Sequence, residues 1–223
     1  MKKTNIIDVL SEPHGIVCTL NLEILAYLLD TPSRCSKLDF YTFDSNYARL
    51  ILRSKYCGEG RGSQLCKLIL DRSQDLTDRP IIWVGGSPSA SIILREGGHQ
   101  HMHFSDKTRK SDEKSILQII QSYGSVRPII LFALPFRKAL ELVNVLDAER
   151  TLGLYIPIGG GLDIALGLEK PAPDVVARLQ LEWLWRLFAG QKRILRLIKT
   201  IFNLIKLAKE GKLKREEIHQ FLK

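Results

Sequence analysis

Short apolar runs alternate with longer helical patterns through residues 15–158, and this alternation predicts an α/β protein with a Rossmann-like parallel sheet and helices on both faces. Two further observations complete the prediction. No apolar run exceeds strand length, and positive charge collects after residue 186, where a basic amphipathic helical appendage is expected. Gly15–Leu20 reads as the first strand and Leu22–Leu29 as the helix after it. A strand over Leu38–Asp44 leads into a helix over Tyr47–Tyr56, a Gly-rich loop CGEGRGS, and a helix over Gln64–Arg72. Ile81–Val84 is a strand closed by Gly85 and Gly86, with Ser87-Pro88 opening the next helix. A helix over Asp112–Tyr123, a strand over Pro128–Ala133, a helix over Arg137–Leu146 and a strand over Leu154–Ile158 finish the pattern. EKPAPD, from Glu169 to Asp174, reads as a hinge, dividing residues 1–170 from a helical segment at 171–223.

With 223 residues and 45% hydrophobic content, the chain can bury a normal core in one medium domain with an appendage. A formal charge of +9 points to an acidic partner: nucleic acid, anionic lipid or a phosphorylated small molecule. Between Arg186 and Arg215 ten Lys or Arg face one acid, Glu210, so much of the excess lies in the tail. Cys18, Cys35, Cys57 and Cys66 form no CxxC pair, and the first apolar run is short and broken by Asp8, Ser11, Glu12 and Pro13. Reduced thiols in a cytoplasmic protein are therefore expected. Any membrane contact is expected to be peripheral, because no run is long enough to cross a bilayer.

In a doubly wound sheet the ligand sits at the carboxyl ends of the strands. Those ends carry Thr19 and Asn21, Asp44, the Gly85-Gly86-Ser87 turn, Pro135 with Arg137, and Gly159-Gly160-Gly161 with Asp163. Asp44 has the chemistry of a general base, and equally that of an Asx turn with Ser45 and Asn46. Gly85-Gly86-Ser87-Pro88 is either a plain strand-to-helix turn or a place where backbone approaches a phosphate or sugar closely. Asp163 is a ligand contact, a residue that holds the loop, or a helix N-cap. His99, His101 and His103 alternate, as zinc ligands on a strand would, and as an exposed edge strand also would. GxGxxG, P-loop and nucleophile-elbow patterns are missing from the sequence.

The most specific segment is Pro171–Arg196, PAPDVVARLQLEWLWRLFAGQKRILR. Leu181, Leu184, Leu187 and Phe188 recur at helical spacing, with Trp183 and Trp185 on either side, and Arg178, Arg186, Lys192, Arg193 and Arg196 supply cations. On its own this is an amphipathic helix that packs on a core or meets an anionic surface. It resembles the C-terminal signature of the WecG/TagA/CpsF glycosyltransferases (glycosyltransferase family 26), AP…RLGLEWLYRL…PRR. Ala172, Pro173, Arg178, Leu179, Leu181, Glu182, Trp183, Leu184, Arg186 and Leu187 match it letter for letter. Thr19-Leu20-Asn21 resembles the family's T-x-N strand end, KLDFYTFD its ADLVTPDG segment, Gly85-Gly86-Ser87-Pro88 its LGGKPG turn, and Gly159 to Gly167 its GVGAAFDFLAG stretch. Gly60-Arg61-Gly62-Ser63 resembles the R-x-x-G-S-D loop with one residue fewer and Gln64 at the aspartate. Phe136-Arg137-Lys138 replaces the Lys-Gln-Glu triplet that follows proline in the family, exchanging an acid for a base.

The resemblance implies an inverting, metal-independent hexosyl transfer from a UDP-sugar to a polyprenyl-diphosphate-linked saccharide in cell-surface polysaccharide synthesis. It also implies peripheral placement on the inner face of the cell membrane and no cofactor. It assigns Asp44 as catalytic base. It makes Thr19, Asn21, Arg61, Gly85, Gly86, Ser87, Arg137, Gly161, Asp163, Arg186, Arg193 and Arg196 substrate-binding residues, the last three acting on the donor diphosphate. Its expected partners are the donor, the lipid-linked acceptor, an anionic membrane surface and a second copy of the chain, not nucleic acid. A sugar-nucleotide-binding homologue without activity is the alternative, suggested by the altered triplet and Gln64.

Overall fold

The computed structural model describes residues 2–3, 8–31, 38–44, 48, 51, 61–76, 78–102, 110–123, 126–148, 153–170, 173, 176 and 191–213. Its strands are β1 (Lys2–Lys3), β2 (Gly15–Leu20), β3 (Phe40–Phe43), β4 (Ile81–Gly85), β5 (Gln100–Met102), β6 (Ile129–Ala133) and β7 (Leu154–Pro157). Every pairing is parallel, and the sheet runs β1-β3-β2-β7-β6-β4-β5. The helices are α1 (Leu22–Asp30), α2 (Gly62–Leu76), α3 (Pro88–Glu96), α4 (Lys110–Ser122), α5 (Phe136–Ala148), α6 (Gly161–Ala165) and α7 (Gln191–Lys209). The α/β fold expected from the alternation is the fold observed. Most of the helix expected over Tyr47–Tyr56 lies outside the described residues, although Ala48 and Ile51 are helical.

Strand side chains alternate between two buried faces, which is why the runs read as continuously apolar. Cys18, Leu20, Ile82, Val84, Ile130 and Phe132 point into one core with α1, α4 and α5. Val17, Trp83, Ile129, Leu131 and Ile156 point into the other with α2, α3 and α6. Neighbouring strands β2, β7, β6 and β4 are followed by α1, α6, α5 and α3, so successive neighbours send the chain to opposite faces. Loops diverge at each step of the carboxyl edge, and divergence of this kind opens a crevice above a parallel sheet.

α7 packs on α1 rather than standing apart. Thr200 and Leu207 are buried, Leu204 rests on the α1 side of the core, Asn203 Nδ2 donates to Ala26 O at 3.4 Å, and Lys206 Nζ lies 3.5 Å from Asp30 Oδ1. Another stripe of the same helix faces away. Ile198, Ile201, Phe202 and Ile205 are all exposed, Phe202 at 68%.

The amino edge is held by Arg79. Its guanidinium donates to Arg127 O (2.7 Å), Glu12 O (2.6 Å), Pro13 O (3.2 Å), Leu10 O (3.4 Å) and Pro128 O (3.4 Å). One side chain thus joins the segment before β2 to the entries of β4 and β6. Burial, and secondarily the charge of Arg127, lowers the Arg79 pKa from its ordinary value; an arginine nevertheless remains charged, and the carbonyls offset its desolvation. Arg79→Met keeps much of the length and none of the donors. We expect it to reduce the unfolding free energy by about 2–3 kcal/mol, read from urea denaturation. An unchanged midpoint would mean that water satisfies those carbonyls equally well.

Candidate functional site at the carboxyl edge

Hydrogen bonds join the strand ends in their spatial order. At β3, the Asp44 N–H donates to Leu20 O at 2.9 Å. Thr19 Oγ1, buried within β2, donates to Pro157 O of β7 at 3.2 Å. The N–H groups of Ile158 and Gly159 converge on Phe132 O of β6 at 2.9 and 3.2 Å, and the Gly86 N–H reaches Ala133 O at 3.0 Å. Asp44 is half-buried; Ser45 and Asn46, needed to judge the Asx-turn alternative, lie outside the described residues. Asn21 caps α1, its Oδ1 accepting from Ile24 N–H at 2.9 Å. The amide nitrogen is not used by this cap, and Oδ1 keeps a second lone pair.

The turn after β4 is the most constrained part of this edge. Gly85 and Gly86 both have positive φ, +88° and +95°. A Cβ on Gly85 would lie 2.9 Å from the backbone oxygen of Ala133, so both conformation and space require glycine. His101 Nε2, on β5, lies 2.8 Å from Gly85 O. Ser87 is the α3 N-cap, its Oγ accepting from Ala90 N–H at 3.2 Å while donating to Asp163 Oδ1 at 2.6 Å. Residues 76 positions apart in sequence thus share one hydrogen bond across the crevice.

Asp163 is not a helix cap. Gly160 occupies that position, α6 begins at Gly161, and the Asp163 carboxylate is engaged by Ser87. A Cβ on Gly161 would meet Ser63 N at 2.7 Å and Gly62 C at 2.8 Å. The stretch read as a loop at Gly62-Ser63 is already helix α2, whose first turn lies against α6. Arg61 immediately precedes it, half-buried, its carbonyl accepting from the N–H groups of Gln64 and Leu65. Cys66, one turn further along α2, is fully buried, and burial holds its thiol protonated, so it has no role as a nucleophile.

Arg137, the second residue of α5, stacks on the Tyr27 ring, 4.5 Å from its centroid, with Phe136 meeting the same ring edge-on. The residue replacing the middle of the Lys-Gln-Glu triplet is therefore held against α1 as a planar cation. Arg186 lies outside the described residues. Arg193 and Arg196 are in the first turns of α7, where the backbone alone is described. His101 is engaged with Gly85 O, His99 meets the Trp83 ring edge-on and His103 lies outside the described residues; among the described residues no three His, Cys, Asp or Glu gather as a metal site. β5 is the edge strand of the alternative reading.

A profile of the glycosyl transferase WecG/TagA/CpsF family matches residues 3–217. The chain belongs to this family. It is a family of glycosyltransferases in polysaccharide synthesis, and the match covers both the sheet and the helical C-terminal segment. The resemblance carried by Pro171–Arg196 and by the strand ends is thereby borne out at family level. No helix among the described residues is long and apolar enough to cross a membrane.

In this family member the α2–α6 contact should depend on a missing side chain. Gly161→Ala sets a methyl against backbone and should cost about 2 kcal/mol or more, whereas Gly160→Ala, with open space around its Cβ position, should be nearly neutral. Thermal melts of the two variants test the contrast. Equal melting temperatures would mean that the two helices separate without loss.

Proposed function

We propose that the protein is an inverting glycosyltransferase that moves a hexose or N-acetylhexosamine from a UDP-sugar to a polyprenyl-diphosphate-linked saccharide. The single observation that carries this reading is the position of Asp44, at the carboxyl end of β3 and hydrogen-bonded through its backbone to the end of β2, in a chain whose family membership runs through both. In the proposed reaction an acceptor hydroxyl gives its proton to the Asp44 carboxylate. The hydroxyl oxygen bonds to the anomeric carbon in line, and the bond from that carbon to the diphosphate breaks with its electron pair leaving on the nucleotide. Attack opposite the leaving group inverts the anomeric centre.

The departing diphosphate needs compensating charge, which we assign to Arg186, Arg193 and Arg196 with support from Arg61. Thr19, Asn21, Gly85, Gly86, Ser87, Gly161 and Asp163 form the proposed floor of the donor site. There the Gly-rich turn allows backbone to approach phosphate or sugar, and Asp163, held by Ser87, accepts hydrogen bonds from sugar hydroxyls. Arg137 is proposed to set donor preference. Asp44→Asn should lower transfer at least about a hundredfold. The same variant should still be stabilised by UDP without added divalent metal, as shown by thermal shift. Near-normal turnover would remove Asp44 as the base; stabilisation by ADP-sugars but not UDP would remove the proposed donor class.

The acceptor's lipid chain implies a membrane surface, and we assign docking to α7 together with the Pro171–Arg196 segment. Ile198, Ile201, Phe202 and Ile205 form an outward stripe beside Lys199, which is exposed. Apolar insertion and attraction to anionic headgroups, at about 1 kcal/mol per cation near the surface, together give reversible binding. Because the stripe is already exposed, Ile201→Ser with Phe202→Ser should fold normally yet lose about tenfold in sedimentation with phosphatidylglycerol vesicles. Undiminished sedimentation of that variant would place the docking surface elsewhere.

A further inference from the structure

The peptide between Gly85 and Gly86 is fixed at both ends. Its N–H donates to Ala133 O on β6 at 3.0 Å, and its carbonyl faces His101 Nε2 on β5 at 2.8 Å. A carbonyl can only accept, so Nε2 carries the hydrogen. Ser91 Oγ, 3.5 Å from the same imidazole nitrogen, donates to Ser87 O at 3.2 Å, and the Ser91 N–H reaches that oxygen at 3.1 Å. Ser87 Oγ continues the chain to Asp163. Each step of the Gly85-Gly86-Ser87 turn therefore has an anchor, and His101 is the one supplied by the edge strand β5.

Such an anchor has work to do. Two successive residues with positive φ and no Cβ can reorient their shared peptide more readily than any other pair, and a reoriented peptide turns its N–H and C=O by about half a circle. A turn that binds a ligand through its backbone needs that freedom removed before the ligand arrives, since ordering it on binding would weaken affinity. β5 has three residues and lies at the sheet edge, and His101 sits in register with Trp83 of β4. From there the imidazole reaches forward two residues along β4 to the carbonyl that ends it.

We propose that His101 is a positioning residue for the donor-binding turn, holding the Gly85–Gly86 peptide in the orientation that receives the nucleotide sugar. This rests on the assignment of the Gly85-Gly86-Ser87 turn to the donor site. His101 touches neither substrate nor reacting atoms, and its effect belongs in donor affinity rather than in the chemical step.

The test compares His101→Phe, which keeps a ring without a donor, with His101→Gln, whose amide N–H can reach the same carbonyl. UDP is the binding probe, and amide exchange of Gly86 is read by NMR. His101→Phe should raise the UDP Kd about five- to tenfold and speed Gly86 exchange about tenfold, with His101→Gln within about threefold of wild type on both. Faster exchange with an unchanged Kd would make His101 merely structural and overturn the proposal, as would unchanged exchange. Ser87→Ala separates this failure from that of the site. If Ser87→Ala raises the UDP Kd and His101→Phe does not, the positioning role alone fails; if neither does, or if wild type does not bind UDP, the assignment of the turn fails and the proposal with it.

Discussion

The hydrogen bond from Ser87 Oγ to Asp163 Oδ1, 2.6 Å long, is the interaction on which the carboxyl edge depends. It spans loops that leave β4 and β7 for helices on the same face, with β6 between them sending its chain to the other. The serine has two tasks at once, capping α3 and engaging the carboxylate. A hydroxyl can donate once while accepting twice, so the two tasks do not compete. The carboxylate keeps acceptor capacity beyond the serine, which is what a residue meeting polyhydroxylated ligands requires.

The strand ends were legible because each is marked by residues with a local physical reason to be there. Asn21 and Ser87 cap helices, Gly85 and Gly86 take positive φ, and Pro88 opens α3. Legibility ended where a residue's reason lies in a distant part of the chain. Gly62 reads locally as part of a Gly-rich loop, but it starts a helix; its Cβ position would lie 3.0 Å from Ile158 O, in a segment nearly a hundred residues away. For Asp163 the sequence offers a cap, a ligand contact or a loop-holding residue, and its partner Ser87 is found only once β4 and β7 are brought into one sheet. His101 was visible as one of three alternating histidines, a pattern that says nothing about the Gly85 carbonyl.

The C-terminal helix illustrates a different limit. Its periodicity shows an amphipathic helix but not how many apolar stripes it carries. Thr200, Leu204 and Leu207 face α1, and Ile198, Ile201, Phe202 and Ile205 face outward. Spacings of three and four residues generate both sets, so one amphipathic pattern accommodates an internal and an external surface. The basic residues alone could not distinguish a helix docked on the protein from one docked on an anionic layer; the structure gives α7 the first contact and leaves a stripe available for the second.

α1 connects these parts. It has nine residues, so it is about 14 Å long at the usual rise per residue. Its first turn begins at Asn21 on the carboxyl edge, its middle bears Tyr27 beneath Arg137, and its last turns hold α7 through Ala26 and Asp30. A short helix of this kind moves as a rod rather than bending. One rigid element thus carries the cap at the carboxyl edge, the seat of the Arg137 cation and the packing surface of α7, so the outer helix and the crevice are set by the placement of the same nine residues.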